Sequence, residues 1–159
     1  MVVAFVLLLA QVTQLPTVLQ GGGYEITVPH GWTAQMVTRD ARLVHVSGAT
    51  LLVMTSHAGQ RVDILTQRTA EGLANPLGFA TISKPRHFNN SDQEWFEYDI
   101  RGNRLTDHRR ILYRAVRTTT GLTEIIFESA EDRFDALLPE ALSIASSLKS
   151  VPRKVRVRK

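Results

Sequence analysis

The sequence predicts a single α+β domain, an antiparallel β-sheet of about six or more strands with helices packed on it. Three observations lead there. From Tyr24 onward the apolar residues recur mostly with a period of two, then 3.6, then two, then 3.6 again. Turn-forming residues punctuate each change of period, so sequential antiparallel neighbours are the natural topology. The length of 159 residues, 43% hydrophobic and 21% charged, is that of one ordinary globular domain. A chain of this size buries roughly two thirds of its unfolded surface and needs no metal or disulfide staple. The absence of cysteine excludes disulfides, thiolate metal sites, a thiol nucleophile and a lipid-modified cysteine.

In chain order, Val2 to Ala10 is a short apolar run before polar residues. It is too short to span a bilayer and suits the apolar part of an export signal, although no basic residue precedes it. Residues 1–20 are therefore expected to be an export segment, 22–150 the domain, and 151–159 a basic tail. That division implies a periplasmic or extracellular protein, with a cytoplasmic one as the alternative. Tyr24 to Val28 alternates as a strand and stops at Pro29-His30-Gly31 before Trp32. Arg42 to Ser47 and Thr50 to His57, either side of Gly48, read as a hairpin.

Val62, Leu65, Thr69 and Leu73 share one helical face between Arg61 and Asn75, and Asn75-Pro76 and Gly78 end the helix. Four strands follow: Phe79 to His87, Gln93 to Arg101, His108 to Thr118 and Leu122 to Ser129. The final helix carries Phe134, Leu137, Leu138, Ala141, Leu142, Ala145 and Leu148 on one stripe, with Ser129 or Asp132 as the expected cap. Pro139 predicts a break, either a first turn ending near Leu138 or a restart at the proline.

Tyr24-Glu25-Ile26-Thr27-Val28-Pro29-His30-Gly31-Trp32 resembles the opening strand and Pro-x-Gly-Trp turn of the PsbP-like α/β/α sandwich family, in its bacterial exported branch. Gly121 to Phe127 resembles that family's penultimate strand. Phe134 and the helix ending Ile144 to Leu148, with a serine near its end, resemble the closing element. The likeness covers about residues 22 to 150 and rests on packing and turn residues. The family includes extrinsic photosystem II subunits, bacterial exported proteins and a fold relative that binds the GTPase Ran. The resemblance therefore implies a docking module.

The residues themselves supply no assembled chemistry. No nucleophile elbow, Ser-x-x-Lys motif or metal-spaced histidine pair occurs among His30, His45, His57, His87 and His108. Gly21-Gly22-Gly23 precedes a strand, whereas a phosphate-cradling loop follows one and opens a helix. Glu97 and Asp99 share a strand face about 7 Å apart, which is not enough to define acid-base chemistry. No catalytic residue, cofactor or metal is expected.

The net charge of +4 is concentrated at the end. Residues 151–159 hold five of the 19 basic side chains, leaving 14 against 15 acidic ones elsewhere. Weak contact with a polyanion or an anionic membrane is expected from that tail, and no specific nucleic acid. The expected activity is that of a non-enzymatic docking module for a protein partner. The alternative is a small-ligand or lipid-binding protein with a cleft between sheet and helix. The candidate partner-binding residues are Trp95, Arg101, Arg104, Arg110 and Arg114. Cross-strand pairing of the basic cluster with Glu94, Glu97, Asp99, Glu124 and Glu128 is the competing reading.

Overall fold

The computed structural model describes residues 16–21, 24–37, 40–56, 61–89, 93–118 and 121–150. The elements in order are β1 (Thr17–Gly21), β2 (Tyr24–Val28), β3 (Trp32–Val37), β4 (Asp40–His45), β5 (Thr50–Ser56), α1 (Val62–Ala74), β6 (Gly78–Ile82) and β7 (Arg86–Asn89). They continue as β8 (Gln93–Arg104), β9 (Asp107–Thr118), β10 (Gly121–Ala130), α2 (Glu131–Ser146) and the two-residue β11 (Lys149–Ser150). The main antiparallel sheet runs β3-β4-β5-β10-β9-β8-β6, with β7 also paired to β8, and β1-β2-β11 form a small second sheet.

The expected 1–20 and 22–150 division meets the structure at β1. Thr17 to Gly21 pair with β2, so the folded unit reaches upstream of the expected start. The remainder of the expected export segment, residues 1–15, and the basic tail, residues 151–159, lie outside the described residues.

The two helices cover opposite faces and are offset along the sheet. The buried side of α1 is Val62, Thr66, Ala70 and Ala74, with the expected Leu65 and Leu73 packed at its flank. This differs from the predicted stripe by a rotation about the helix axis. Small residues at 66, 70 and 74 let the helix sit close over Tyr98, Ile100, Ile111 and Tyr113. On the other face, Phe134, Ala141, Ile144 and Ala145 of α2 pack on Leu43, Leu51, Val53, Leu112 and Phe127 together with Ile26 of the small sheet.

Three local expectations are corrected. Pro139 lies inside an uninterrupted α2, and its side chain is exposed, so the carbonyl one turn back that loses its donor belongs to the solvent-facing side. The residue before the helix is Ala130, with no side-chain cap, because Ser129 is turned into the sheet and buried. Strand β3 escaped the periodic reading, and the expected 79–87 strand is divided into β6 and β7 at Ser83-Lys84-Pro85, since Pro85 offers no amide to the ladder.

The Pro-x-Gly-Trp turn is a packing device. Gly31 has φ of +90°, and the Val46 amide donates to its carbonyl over 2.9 Å. Trp32 is buried against the ring of His45 at 5.1 Å, and its Nε1 donates to Glu140 Oε2 of α2 at 2.9 Å. At the far end of that helix Ser147 Oγ accepts the Thr27 amide at 2.9 Å, closing the helix onto β2. A Cβ at position 31 would stand 2.9 Å from His45 Nε2, a ring already held by Ser47. Gly31→Ala is expected to lose about 1–2 kcal/mol through the left-handed backbone, with that clash added. Urea unfolding of wild type and variant checks this, and an unchanged midpoint would contradict it.

Candidate functional site

Strands β8 and β9 form a long hairpin closed by Leu105 and Thr106, and the register decides what each side chain faces. Glu97 lies opposite Arg114, and Arg101 opposite Arg110. Because side chains alternate, Trp95, Glu97, Asp99 and Arg101 share a face with Arg110, Leu112 and Arg114. It is the face that carries α2, but α2 packs over β10, β9 and β2, and α1 covers β8 from the other side. The stretch of β8 beyond α2 is therefore roofed by its own polar side chains, whose aliphatic stems shield the strands.

Four of the five candidate residues meet there. Arg110 Nε donates to both Asp99 carboxylate oxygens at 3.0 Å and its Nη1 to Asp135 of α2 at 2.9 Å, while its guanidinium lies 4.3 Å from the centre of the Phe134 ring. Arg101 donates to Glu131 of α2 at 2.9 Å and stands 3.5 Å from Asp99. These two arginines thus bind the first turns of α2 to the sheet. Arg114 Nε donates to Glu97 Oε2 at 2.7 Å, and Arg86 of β7 binds the other oxygen. Glu97 is only 2% exposed, so two guanidinium groups share one buried carboxylate.

Trp95 is half-buried, stacked on Phe88 of β7 at 5.7 Å with Arg114 over its ring at 5.5 Å. Arg104 falls on the opposite face, where it and Arg109 both reach Glu128, at 3.2 and 3.1 Å. Four of the five expected acidic partners are used by arginine. Glu124 instead accepts a hydrogen bond from the buried Tyr113 hydroxyl at 2.6 Å. Burial, and then the Glu124 carboxylate, push that phenol far above its ordinary range. The sequence reading named Arg86, with Lys84, as a candidate member of such a patch and missed Phe88, Glu131 and Asp135. The signal for Phe88 was available only after pairing β7 with β8.

Burial alone would raise the Asp99 carboxyl, but the Arg110 hydrogen bonds and charge outweigh it and hold the group below its usual range. A depressed carboxylate contributes stability above its unfolded pKa of about 3.9 and loses it as pH falls through the lower folded value. Asp99→Asn is therefore expected to be less stable than wild type at neutral pH, with the difference shrinking below about pH 4. Urea midpoints across pH 2–7 give the two curves, and parallel curves would refute the assignment.

Open clefts occur among the described residues. One of about 710 Å³ lies at the start of α2 beside Asp107, His108, Arg109 and Glu131. Its one imidazole is bound to Asn103. A second, about 360 Å³ between β2 and α2, is lined by Thr27, Glu140, Ser143 and Ser147 among others. A third, about 320 Å³, lies between α1 and the β6 edge. Among the described residues no three His, Asp or Glu side chains converge as a metal site, and no helix is long and apolar enough to cross a membrane. His57 lies outside the described residues.

No family model matches the chain, and no curated protein matches it by sequence. Its fold is nevertheless that of the PsbP-like α/β/α sandwich. The structure is similar to that of cyanobacterial PsbP (CyanoP) from Synechocystis, at 18% identity and a TM-score of 0.58 over 86% of this chain and 92% of that one. It is similar to the Ran-binding protein Mog1p of Saccharomyces cerevisiae, at 10% identity and 0.56 over 86% and 95%. It is also similar to LpqN of Mycobacterium tuberculosis, involved in cell envelope biogenesis, at 13% and 0.56 over 86% and 91%.

Proposed function

We propose that this chain is a non-enzymatic docking module that binds a protein partner through the β7–β8–β9 face around Trp95. The observation that carries this reading is the Trp95–Phe88 stack. It is a half-buried indole and a Phe88 ring 43% exposed, with Arg114, anchored by the buried Glu97, over the indole. Aromatic and arginine side chains on a preorganised strand face are the groups that dominate binding energy at protein interfaces. The salt-bridged arginines serve first to position this surface and the start of α2, with Arg114 bordering the aromatic pair.

The likeness to Ran-binding Mog1p supports protein binding as the use of the fold. The likeness to LpqN supports an envelope setting, in line with the expected export of the chain. The ligand-binding alternative is less favoured. The cleft between β2 and α2, lined by Pro29 and Ile144 as well as by Thr27, Glu140, Ser143 and Ser147, is open and holds about 360 Å³, at the small end for a ligand site.

Affinity capture with the full chain, wild type against Trp95→Ala, tests the reading. A partner retained by wild type should bind the variant at least about 30-fold more weakly, the loss typical of a central interface residue. Equal retention of every partner by both chains would overturn it.

A further inference from the structure

We infer that the outer edge of the main sheet, β6 and β7, takes an extended, acidic segment of the partner protein as an added strand. The inference rests on the docking reading and concerns the edge next to that face, with β7 common to both. β6 ends the strand order and β7 pairs only with β8, so the outer backbone of both faces no strand among the described residues. Every residue from 78 to 89 is exposed. Of the eight large apolar side chains exposed on the described surface, four are at this edge or its corner: Phe79, Ile82, Phe88 and Leu105. Phe79 is 93% and Leu105 97% exposed, and both have a left-handed backbone, with φ of 52° and 58°, which for bulky residues is strained.

The register supplies the pattern that such a strand would need. Ile82 pairs with Ile100 and so lies on the α1 side, where it borders the 320 Å³ cavity with Ala70, Pro85 and Tyr98. Arg86 pairs with Glu97 and lies on the other side. An added strand alternates its side chains between these two faces. Apolar residues would turn toward the cavity and carboxylates toward Arg86.

Residues 78–89 contain Lys84, Arg86 and His87 and no carboxylate. Arg86 is 72% exposed although bound to Glu97, a carboxylate that it shares with Arg114, so one positive charge is left in excess. The same charges decide against a second copy of this chain. A two-fold edge pairing would bring Lys84 and Arg86 of each copy together. An acidic partner strand avoids that repulsion, with main-chain bonds on either side of Pro85 supplying affinity and alternate side chains specificity.

The test uses the full chain and a displayed library of random seven-residue peptides. Selection should enrich peptides alternating apolar and acidic residues. Amide chemical shifts on titration with the most enriched peptide should move at residues 79–82 and 86–88. A proline at the centre of the peptide should abolish binding, and Lys84→Glu should weaken it at least about fivefold. Basic peptides, no enrichment, no shifts at residues 79–82, or concentration-dependent dimerisation through this edge would each overturn the inference. The docking reading is tested separately by Trp95→Ala, so failure of the inference is distinguishable from failure of the reading it rests on.

Discussion

Phe134→Ala is expected to destabilise the protein by about 3–5 kcal/mol, the cost of truncating a fully buried phenylalanine. Phe134 is 1% exposed and meets the Phe127 ring at 5.0 Å, at the seam where the start of α2 crosses the centre of the sheet. It also lies under Arg110, so truncation removes a cation–π contact together with the packing. Against a total stability of about 5–15 kcal/mol for a domain, a loss of this size takes a large share. Urea unfolding gives the measurement, and the midpoint should fall with an unchanged slope. The partly buried Leu142→Ala serves as comparison and should cost less. Equal effects at the two positions would show that α2 does not anchor at its first turns.

The second large effect concerns the buried carboxylate. Replacing Arg86 and Arg114 together by methionine leaves Glu97, 2% exposed, with no counter-charge, and is expected to cost about 3–5 kcal/mol. Glu97→Met in the presence of both arginines should cost considerably less. Arg86 is 72% exposed and Arg114 30%, so both can be hydrated when the carboxylate is gone. The asymmetry separates a buried charge that needs its partners from a set of surface ion pairs worth little. Urea midpoints of the two variants at pH 7 decide it, and the reverse order would mean that Glu97 reaches water.

Much of this surface could not be read along the chain. The alternation of Trp95, Glu97, Asp99 and Arg101 placed them on one face. The even spacing of Arg110 and Arg114 did the same on the next strand. Which arginine meets which acid depends on register, a property of two strands at once. Thus Glu124 goes to Tyr113 and not to an arginine, and Arg104 is set apart from the other four candidates with Glu128. The burial of Glu97 depends on a third strand, β7, which the sequence merged with β6.

Periodicity and turn chemistry by themselves determined the α+β class, the central strands, the closing helix and the concentration of charge at the end of the chain, because each of these is a local property of consecutive residues. Only the tertiary structure decided that α1 and α2 sit offset on opposite faces. A helix is too narrow to cover a seven-strand path. The strands left beyond it had to be shielded by salt-bridged side chains on one side and remain open at the β6–β7 edge.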